Sequence, residues 1–248
     1  KTDKNPNILV ILIDDAGYND FGFMGSKEMQ TPNIDALTSE GVVFTDAHVA
    51  ATVSSPSRAC LITGRYGHRF GYECNLSDRT NGLPLEEETI AEVFKTNGYR
   101  TAAIGKWHLG SRDEQHPNNR GFDLFYGMKA GGRDYFYNEK KSDRPGDERN
   151  LLLNDRQVKF EKYLTDAFSE KAVEFINESS QPFMMYLAYN AVHTPMQATD
   201  EDMAKFEGHP RQKLAAMTYA LDRGVGTVIR GLKDSGKFDN TLIFFLSD

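Results

Sequence analysis

The sequence contains little cysteine and no long hydrophobic run, and each shortage excludes a class of protein. Only Cys60 and Cys74 occur among 248 residues. Two cysteines are too few for a disulfide framework, so a disulfide-stabilised mini-protein is excluded and we expect free or buried thiols. No uninterrupted apolar run approaches the ~20 residues of a membrane-spanning helix, and we therefore expect no membrane span.

Positive charge is also in short supply. Lys and Arg number 29 against 36 Asp and Glu, which gives a formal net charge of −7. A general nucleic-acid binder needs a cationic field to attract phosphates, so we expect no nucleic-acid partner. What the chain does have is an ordinary globular balance, with 39% hydrophobic and 26% charged residues. That balance excludes a disordered tail and a collagen-like fibre.

Predicted strands and helices alternate along the chain. Continuous apolar runs predict strands at residues 7–14, 42–44, 99–104, 183–189 and 240–248. Apolar residues at helical spacing predict helices at residues 31–41, 89–97, 164–176 and 214–232. This alternation indicates an α/β fold with a mostly parallel central sheet flanked by helices. In such folds, ligands bind beyond the carboxyl ends of the strands.

The segment 111–150 differs from the rest of the chain. It is rich in Gly, Arg, Asp and Asn and only weakly periodic, which predicts long loops and a suitable rim for a binding site. Within it, Arg133 and the aromatic residues 135–137 are candidates for binding a sugar. They would stack on the sugar ring and hydrogen-bond its carboxylate or sulfate group. A solvated loop is the alternative interpretation.

The two ends of the sequence predict a processed fragment. The chain begins at Lys1 rather than Met, from which we expect a removed signal peptide and a periplasmic or secreted protein. It stops at Asp248, the last residue of a predicted core strand. We expect the remainder of the protein to lie downstream of that strand.

Paired carboxylates stand at the end of the first predicted strand. Asp14 and Asp15 repel each other unless a cation or hydrogen-bond donors compensate them, and such oxygen ligands suit Ca²⁺ or Mg²⁺. A helix cap with a solvated neighbour explains the pair alone equally well. Asp248 favours the metal site, because it ends another predicted strand and would converge on the same edge of the sheet.

A second cluster occupies residues 54–65. Pro56 suits the first turn of a helix and Gly64 suits its end. Ser54 would then lie at the N-terminus, where free N–H groups and the helix dipole favour an anion, and Arg58 would lie near the same end. A nucleophile at a positive helix end beside a guanidinium is a sensible site for a sulfate or phosphate ester. An ordinary Ser-Pro helix cap is the alternative.

Five blocks of sequence carry a resemblance to a known family. Ser54-x-Pro56-x-Arg58, followed by Leu-Ile-Thr-Gly-Arg, resembles the signature of the type I, formylglycine-dependent sulfatases of the alkaline-phosphatase-like superfamily. The other blocks follow the family's order: the opening strand 7–15, Gly-Lys-Trp-His-Leu-Gly at 105–110, Asn-Ala-Val-His-Thr-Pro at 190–195, and Ser-Asp at 247–248. The resemblance runs over nearly the whole chain and identifies residues 1–248 as an N-terminal catalytic α/β domain, truncated after Asp248.

The resemblance implies a modified nucleophile and a bound cation. A formylglycine-generating maturation enzyme would oxidise Ser54 to formylglycine, whose hydrated aldehyde attacks the sulfate ester and can afterwards expel sulfate. Asp14, Asp15 and Asp248, together with Ser54, would hold a divalent cation, calcium in preference to magnesium.

The resemblance also implies roles for four cationic or histidine residues. Arg58 would stabilise the hydrated aldehyde, and Lys106 would bind sulfate oxygens and offset developing charge. His108 would remove a proton from the remaining hydroxyl, and His193 would contact the ester and protonate the leaving alcohol. Taken singly, a lysine at a strand end is more often an ordinary surface residue, and a lone histidine is more often structural than catalytic.

The sequence departs from the family pattern in two ways. Position 54 is Ser rather than the commoner Cys, which is typical of some bacterial members but also of a Cys-to-Ser replacement that inactivates the enzyme. The chain also stops before the family's next metal ligand, Asn, and before its smaller C-terminal subdomain with an antiparallel sheet. We expect the 248 residues alone to be catalytically incomplete.

The sequence therefore predicts a sulfuric ester hydrolase acting on a sulfated carbohydrate or an aryl sulfate. A phosphodiesterase or phosphonate monoester hydrolase of the same superfamily is one alternative, although the spacing of Lys106 and His108 favours sulfate. A non-catalytic sulfoglycan-binding protein with an unmodified Ser54 is the other.

Overall fold

A seven-stranded sheet forms the centre of the structure, a computed structural model that describes residues 5–75 and 82–248. Its strands are β1 (Asn7–Ile13), β2 (Arg100–Lys106), β3 (Leu124–Met128), β4 (Leu152–Leu153), β5 (Arg156–Gln157), β6 (Phe183–Ala188) and β7 (Thr241–Ser247). They lie in the order β5-β4-β3-β2-β6-β1-β7. The five strands from β3 to β7 in that order are parallel, and β4 and β5 add an antiparallel hairpin. The predicted mostly parallel sheet is confirmed.

Helices cover both faces of this sheet. They are α1 (Pro32–Ser39), α2 (Ser54–Thr63), α3 (Ile90–Thr96), α4 (Leu164–Glu178), α5 (Asp200–Ala204) and α6 (Gln212–Asp234). Short 3₁₀ helices occupy Gly22–Met24, Gly67–Arg69, Asp113–Gln115, Pro117–Arg120 and Phe238–Asn240. Among the described residues, no helix combines the length and the apolar character needed to cross a membrane.

The apolar run of β1 is continuous because both faces of the sheet are buried. Alternate side chains of a strand point to opposite faces, so Leu9 and Ile11 pack with α4 and α6. Val10 and Leu12 pack on the other face with residues of α2 and α3. This double burial is typical of parallel sheets, and it holds the carboxyl ends of β1, β2, β6 and β7 at one edge.

The strand prediction for residues 42–44 is wrong. Val42 and Phe44 are 81% and 76% exposed and belong to no strand. Their β-branched and aromatic character fits a strand, but these side chains are exposed and the segment joins no strand of the described sheet. The local sequence pattern is therefore not sufficient to predict a strand at these residues.

Strand β3 lies inside the segment that the sequence predicted as loops. Gly127 interrupts its apolar pattern, and a Cβ atom there would lie 1.9 Å from the carbonyl oxygen of Gly105 in β2. The close approach of two backbones requires glycine, and the same glycine weakens the strand signal. Both predicted free thiols are confirmed, with Cys60 buried and Cys74 exposed.

Candidate active site

The predicted site residues converge where the carboxyl ends of four strands meet. Asp14 follows β1, Lys106 ends β2, and the segment 190–193 follows β6. Asp248 follows β7, and its backbone N–H bonds the carbonyl of β1's last residue. Helix α2 begins at the same edge with Ser54. This is the position at which open α/β sheets bind ligands.

Helix α2 presents Ser54 because its two ends are fixed by the sequence. Val53 is the extended N-cap residue, Ser54 is the first helical residue and Pro56 lies in the first turn. Gly64 ends the helix in the left-handed conformation, with φ 66°, and its N–H bonds the carbonyl of Cys60. The predicted helix is confirmed.

The Ser54 hydroxyl lies among three functional side chains. Its oxygen accepts a hydrogen bond of 2.9 Å from Arg58 Nε, one helical turn away. The hydroxyl donates to Asp248 Oδ2 at 3.0 Å, and His108 Nδ1 lies 3.4 Å from the same oxygen. Arg58, Asp248 and His108 come from different parts of the chain, so only the folded protein creates this arrangement.

Two buried cations lie directly beneath this hydroxyl. Arg58 Nη2 is 3.2 Å from Asp14 Oδ1 and 2.8 Å from Asp248 Oδ2. Lys106 Nζ is 3.0 Å and 2.8 Å from the two carboxylate oxygens of Asp14. The side chains of Arg58, Lys106 and Asp14 are fully buried. Burial makes these charges costly unless they are paired, and the pairing fixes all four side chains.

The carboxylates fit a hard divalent cation. Ligand oxygens of Asp14, Asp15 and Asp248 all lie within 4.8 Å of one another, and Ser54 Oγ lies beside them through its bond to Asp248. Arg58 and Lys106 pair with Asp14 and Asp248, whereas Asp15 forms no ion pair with a lysine or arginine of the described residues. The side chain of Asp15 is 61% exposed, so the cluster is open to solvent. Oxygen donors of this kind suit calcium or magnesium.

Burial and neighbouring charges shift the pKa values of the site. Burial raises the pKa of Asp14 against the lowering effect of Arg58 and Lys106. Burial and Arg58 lower the pKa of Lys106. The pKa of Asp248 falls because Arg58 and Lys106 outweigh the effect of burial. Burial, followed by the charges of Lys106 and Arg58, lowers the pKa of His108 to about 3. The His108 imidazole is therefore neutral at pH 7.

His193 lies at the more open side of the site. Its Nδ1 is 2.6 Å from the carbonyl oxygen of Thr194, which can only accept, so Nδ1 carries the hydrogen. Its Nε2 is 3.8 Å from Asp15 Oδ2. The buried hydroxyl of Tyr135 lies 2.6 Å and 2.8 Å from the carbonyl oxygens of Asn190 and His193 and fastens this loop.

Two site residues have strained backbones. Asp15 and His108 have φ angles of 59° and 57°, and Asn154 is the other non-glycine residue of the described ranges with a positive φ. Side chains disfavour this left-handed conformation, so surrounding structure must hold it in place. Strain at two residues of one cluster is an observation in favour of a functional site.

Arg133 does not reach the site, and the prediction that it contacts substrate needs correction. Its guanidinium is fully buried, with Nη2 2.8 Å from both oxygens of Asp143 and Nη1 2.8 Å from the carbonyl of Arg149. It also stacks over Phe160 at 4.6 Å. Tyr135 is likewise buried, so both residues support the loop rather than bind a sugar.

Two tyrosines contribute to the site without having been predicted in these roles. The Tyr186 hydroxyl in β6 lies 3.5 Å from Arg58 Nη1, and Tyr135 anchors the His193 loop. In the sequence, Tyr186 belongs to an apolar strand and resembles any core residue. Only the tertiary contacts reveal either role.

Comparison with known proteins agrees with this geometry. The family model described as Sulfatase matches residues 6–248. The chain belongs to the sulfatase family. The resemblance carried by the five sequence blocks is thereby confirmed at the level of the family.

Relatives of this sulfatase chain include bacterial and mammalian proteins. It is 34% identical to the uncharacterized sulfatase YdeN of Escherichia coli, aligned over 100% of this chain and 52% of YdeN. It is 36% identical to mouse arylsulfatase G, over 98% of this chain and 51% of the relative. The crystal structure of Ps i-CgsB in complex with k-i-k-neocarrahexaose matches with a TM-score of 0.92 and 44% identity, over 98% of this chain and 58% of that one. The chain thus spans about half the length of the curated relatives it matches.

Proposed function

We propose that the complete protein hydrolyses sulfate esters, with Ser54 as the precursor of the nucleophile. The observation that carries the proposal is the surrounding of the Ser54 oxygen by Arg58 at 2.9 Å, Asp248 at 3.0 Å and His108 at 3.4 Å. Arg58 and Asp248 orient this oxygen as donor and acceptor, and a guanidinium beside a nucleophile also favours an anionic ester.

Two groups complete this site in the proposal. A maturation enzyme, with its own two-electron oxidant, removes two hydrogens from Ser54 to give formylglycine. The hydrated aldehyde supplies one hydroxyl for attack and a second for the release of sulfate. A divalent cation is held by Asp14, Asp15, Asp248 and the modified residue 54, where it supplies positive charge. Several carboxylates in an open cluster favour calcium over magnesium, which prefers to keep more of its water.

The chain's own residues orient and protonate the reactants. Arg58 holds the oxygen of residue 54 in place and, with Lys106, offsets negative charge at the buried side of the site. Neutral His108 takes the proton from the hydroxyl that remains after attack. His193, with Nδ1–H fixed on the Thr194 carbonyl, presents Nε2 to the leaving alcohol; in its imidazolium form it donates the Nε2 proton to the alcohol and becomes neutral.

A sulfated carbohydrate is the proposed substrate class. The support is the 44% identity to Ps i-CgsB, a protein whose structure contains a neocarrahexaose. An aryl sulfate is the second candidate, supported by the identity to arylsulfatase G.

Turnover by the full-length protein from its own host tests the proposal. We expect release of sulfate from carrageenan oligosaccharides or an aryl sulfate to be faster than cleavage of an aryl phosphate diester. Faster diester cleavage would support the phosphodiesterase alternative. Binding of sulfated sugars without any turnover would support the sulfoglycan-binding alternative.

A further inference from the structure

Two adjacent glycines lie against the two histidines of the site. A Cβ atom at Gly131 would lie 2.6 Å from Nε2 and 2.7 Å from Cε1 of His108. A Cβ atom at Gly132 would lie 3.1 Å from Cε1 and 3.2 Å from Nδ1 of His193. Consecutive residues of one loop therefore touch both imidazoles, and the first contact leaves no room for a methyl group.

Backbone conformation does not explain why these residues are glycines. Neither Gly131 nor Gly132 is among the glycines with a positive φ, so an L-residue could adopt their conformation without strain. What the absent side chains provide is space. That space is filled by the rings of His108 and His193.

The backbone on both sides of the glycine pair is fastened and cannot easily recede. Before it, the Lys129 carbonyl accepts a bond of 3.0 Å from the His108 N–H, and the Ala130 N–H donates to the Glu148 carbonyl at 3.2 Å. After it, buried Arg133 is held by both oxygens of Asp143.

Each imidazole also has a second partner, which for His193 lies on the same side of the ring as Gly132. His108 Nδ1 is 3.4 Å from Ser54 Oγ, and His193 Nδ1 is bonded to the Thr194 carbonyl. An added methyl at either glycine must therefore displace the ring from its observed position, because the loop beneath it is fixed.

We propose that Gly131 and Gly132 are positioning residues that set the two imidazoles of the active site. Gly131 acts through His108, and Gly132 acts through His193. This inference rests on the proposed sulfatase function, in which these histidines move protons. Misplacement by about 1 Å in an active site can cost about 10²-fold in rate.

A crossed set of double variants tests the inference in the full-length protein, with an aryl sulfate as probe. We expect G131A to lower kcat by about 10–10²-fold with a smaller change in KM, and G132A, whose contact is less severe, to lower it less. In an H108A background, G131A should cost nothing further, whereas G132A should keep its effect. In an H193A background, the pattern should reverse.

Gly231→Ala is the matched steric control. Its Cβ atom would lie 2.8 Å from a methyl group of Val173, between α6 and α4. This variant should lower the thermal midpoint but leave kcat of the folded protein unchanged. Equal losses for G131A in the wild-type and H108A backgrounds would overturn the inference, and so would folded G131A and G132A proteins with wild-type kcat.

A crystal structure of G131A separates this inference from the proposed function. If wild-type protein shows no sulfatase turnover, the proposed function fails, and the position of the His108 ring still decides the geometric claim. A ring displaced from residue 54 supports the positioning role. An undisplaced ring contradicts it.

Discussion

The carboxyl edge of the sheet and the segment 111–150 both bury an arginine against a carboxylate. At the edge, Arg58 lies 3.2 Å from Asp14 and 2.8 Å from Asp248. In the loops, Arg133 lies 2.8 Å from Asp143. Both guanidinium groups are fully buried, so burial of a charge does not distinguish a site from a scaffold.

The same two regions each contain a histidine with a lowered pKa. Burial, with Lys106 and Arg58, lowers the pKa of His108 at the edge. Burial, with Lys129, lowers the pKa of His116 in the loops. A shifted pKa is therefore no more decisive than a buried charge.

The two regions differ in whether their charges are balanced and in whether they are open to solvent. The Arg133 guanidinium is satisfied by one carboxylate and by backbone carbonyls, and its surroundings are closed. At the edge, three carboxylates face two cations, Asp15 is exposed and the Ser54 hydroxyl is only half-buried. An open cluster with unbalanced charge can take up a ligand, whereas a balanced and closed pair stabilises the fold.

Replacing each of the two histidines by alanine should give the largest difference in kcat between the two regions. H108A removes the proposed base and should lower kcat by about 10²–10⁴-fold on an aryl sulfate. H116A removes a ring that hydrogen-bonds Asn118 and Asn154 and packs on Phe125, so it should lower the thermal midpoint and leave kcat near the wild-type value. Steady-state kinetics and thermal unfolding of both variants check this, and a large loss of kcat in H116A would contradict the contrast.

The two arginine pairs should separate activity from stability. R58M should lower kcat by about 10²–10³-fold, because it removes the donor to residue 54. It should also cost about 3–5 kcal/mol of unfolding free energy, since buried carboxylates lose their partner. D143N, which leaves Arg133 buried beside a neutral side chain, should lower stability with kcat of the folded protein retained. Denaturant unfolding and kinetics together measure both, and the comparison fails if D143N inactivates the folded enzyme.

Calcium should stabilise the folded protein by binding the carboxylates at the carboxyl edge of the sheet, and not by binding carboxylates of the loops. At 100 times its Kd, a ligand that binds only the folded state adds about 2.7 kcal/mol of stability. D15N should remove most of this gain, because Asp15 is the exposed carboxylate of the cluster. E139Q, at an exposed loop carboxylate paired with Lys159, is the matched control and should keep the gain. Thermal unfolding with and without calcium, after chelation, provides the measurement.

The smallest expected effect is a pH dependence of stability from His116. Its folded pKa lies below the unfolded value of 6.5, so the unfolded state binds more protons at mildly acidic pH. The contribution of neutral His116 is fully present above pH 6.5 and declines as the pH falls toward the folded pKa. The difference in unfolding free energy between wild type and H116Q should shrink over this range. A difference that does not change with pH would contradict the interpretation.

Much of the fold could be predicted from local pattern. The ends of α2 follow from Pro56 and Gly64, and the buried strands follow from continuous apolar runs. The segment 42–44 shows the limit, because its strand-forming side chains are exposed and it joins no strand of the described sheet.

The candidate site could be predicted where side-chain chemistry follows a motif. Ser54, Arg58 and Lys106 come together as the sequence blocks imply. Arg133 could not be placed correctly, because its partner Asp143 belongs to a loop without periodicity. The space beside Gly131 is equally invisible in the sequence, since only tertiary structure brings His108 against it.

The mass of one tryptic peptide tests the central claim most directly. The peptide is residues 28–58, which contains Ser54 and has no internal Lys or Arg; it should be taken from full-length protein purified from its own host. The account predicts a mass lower by two hydrogens, as expected for formylglycine at position 54. An unmodified serine in native, mature protein would contradict it and favour a protein that binds sulfated sugars without cleaving them.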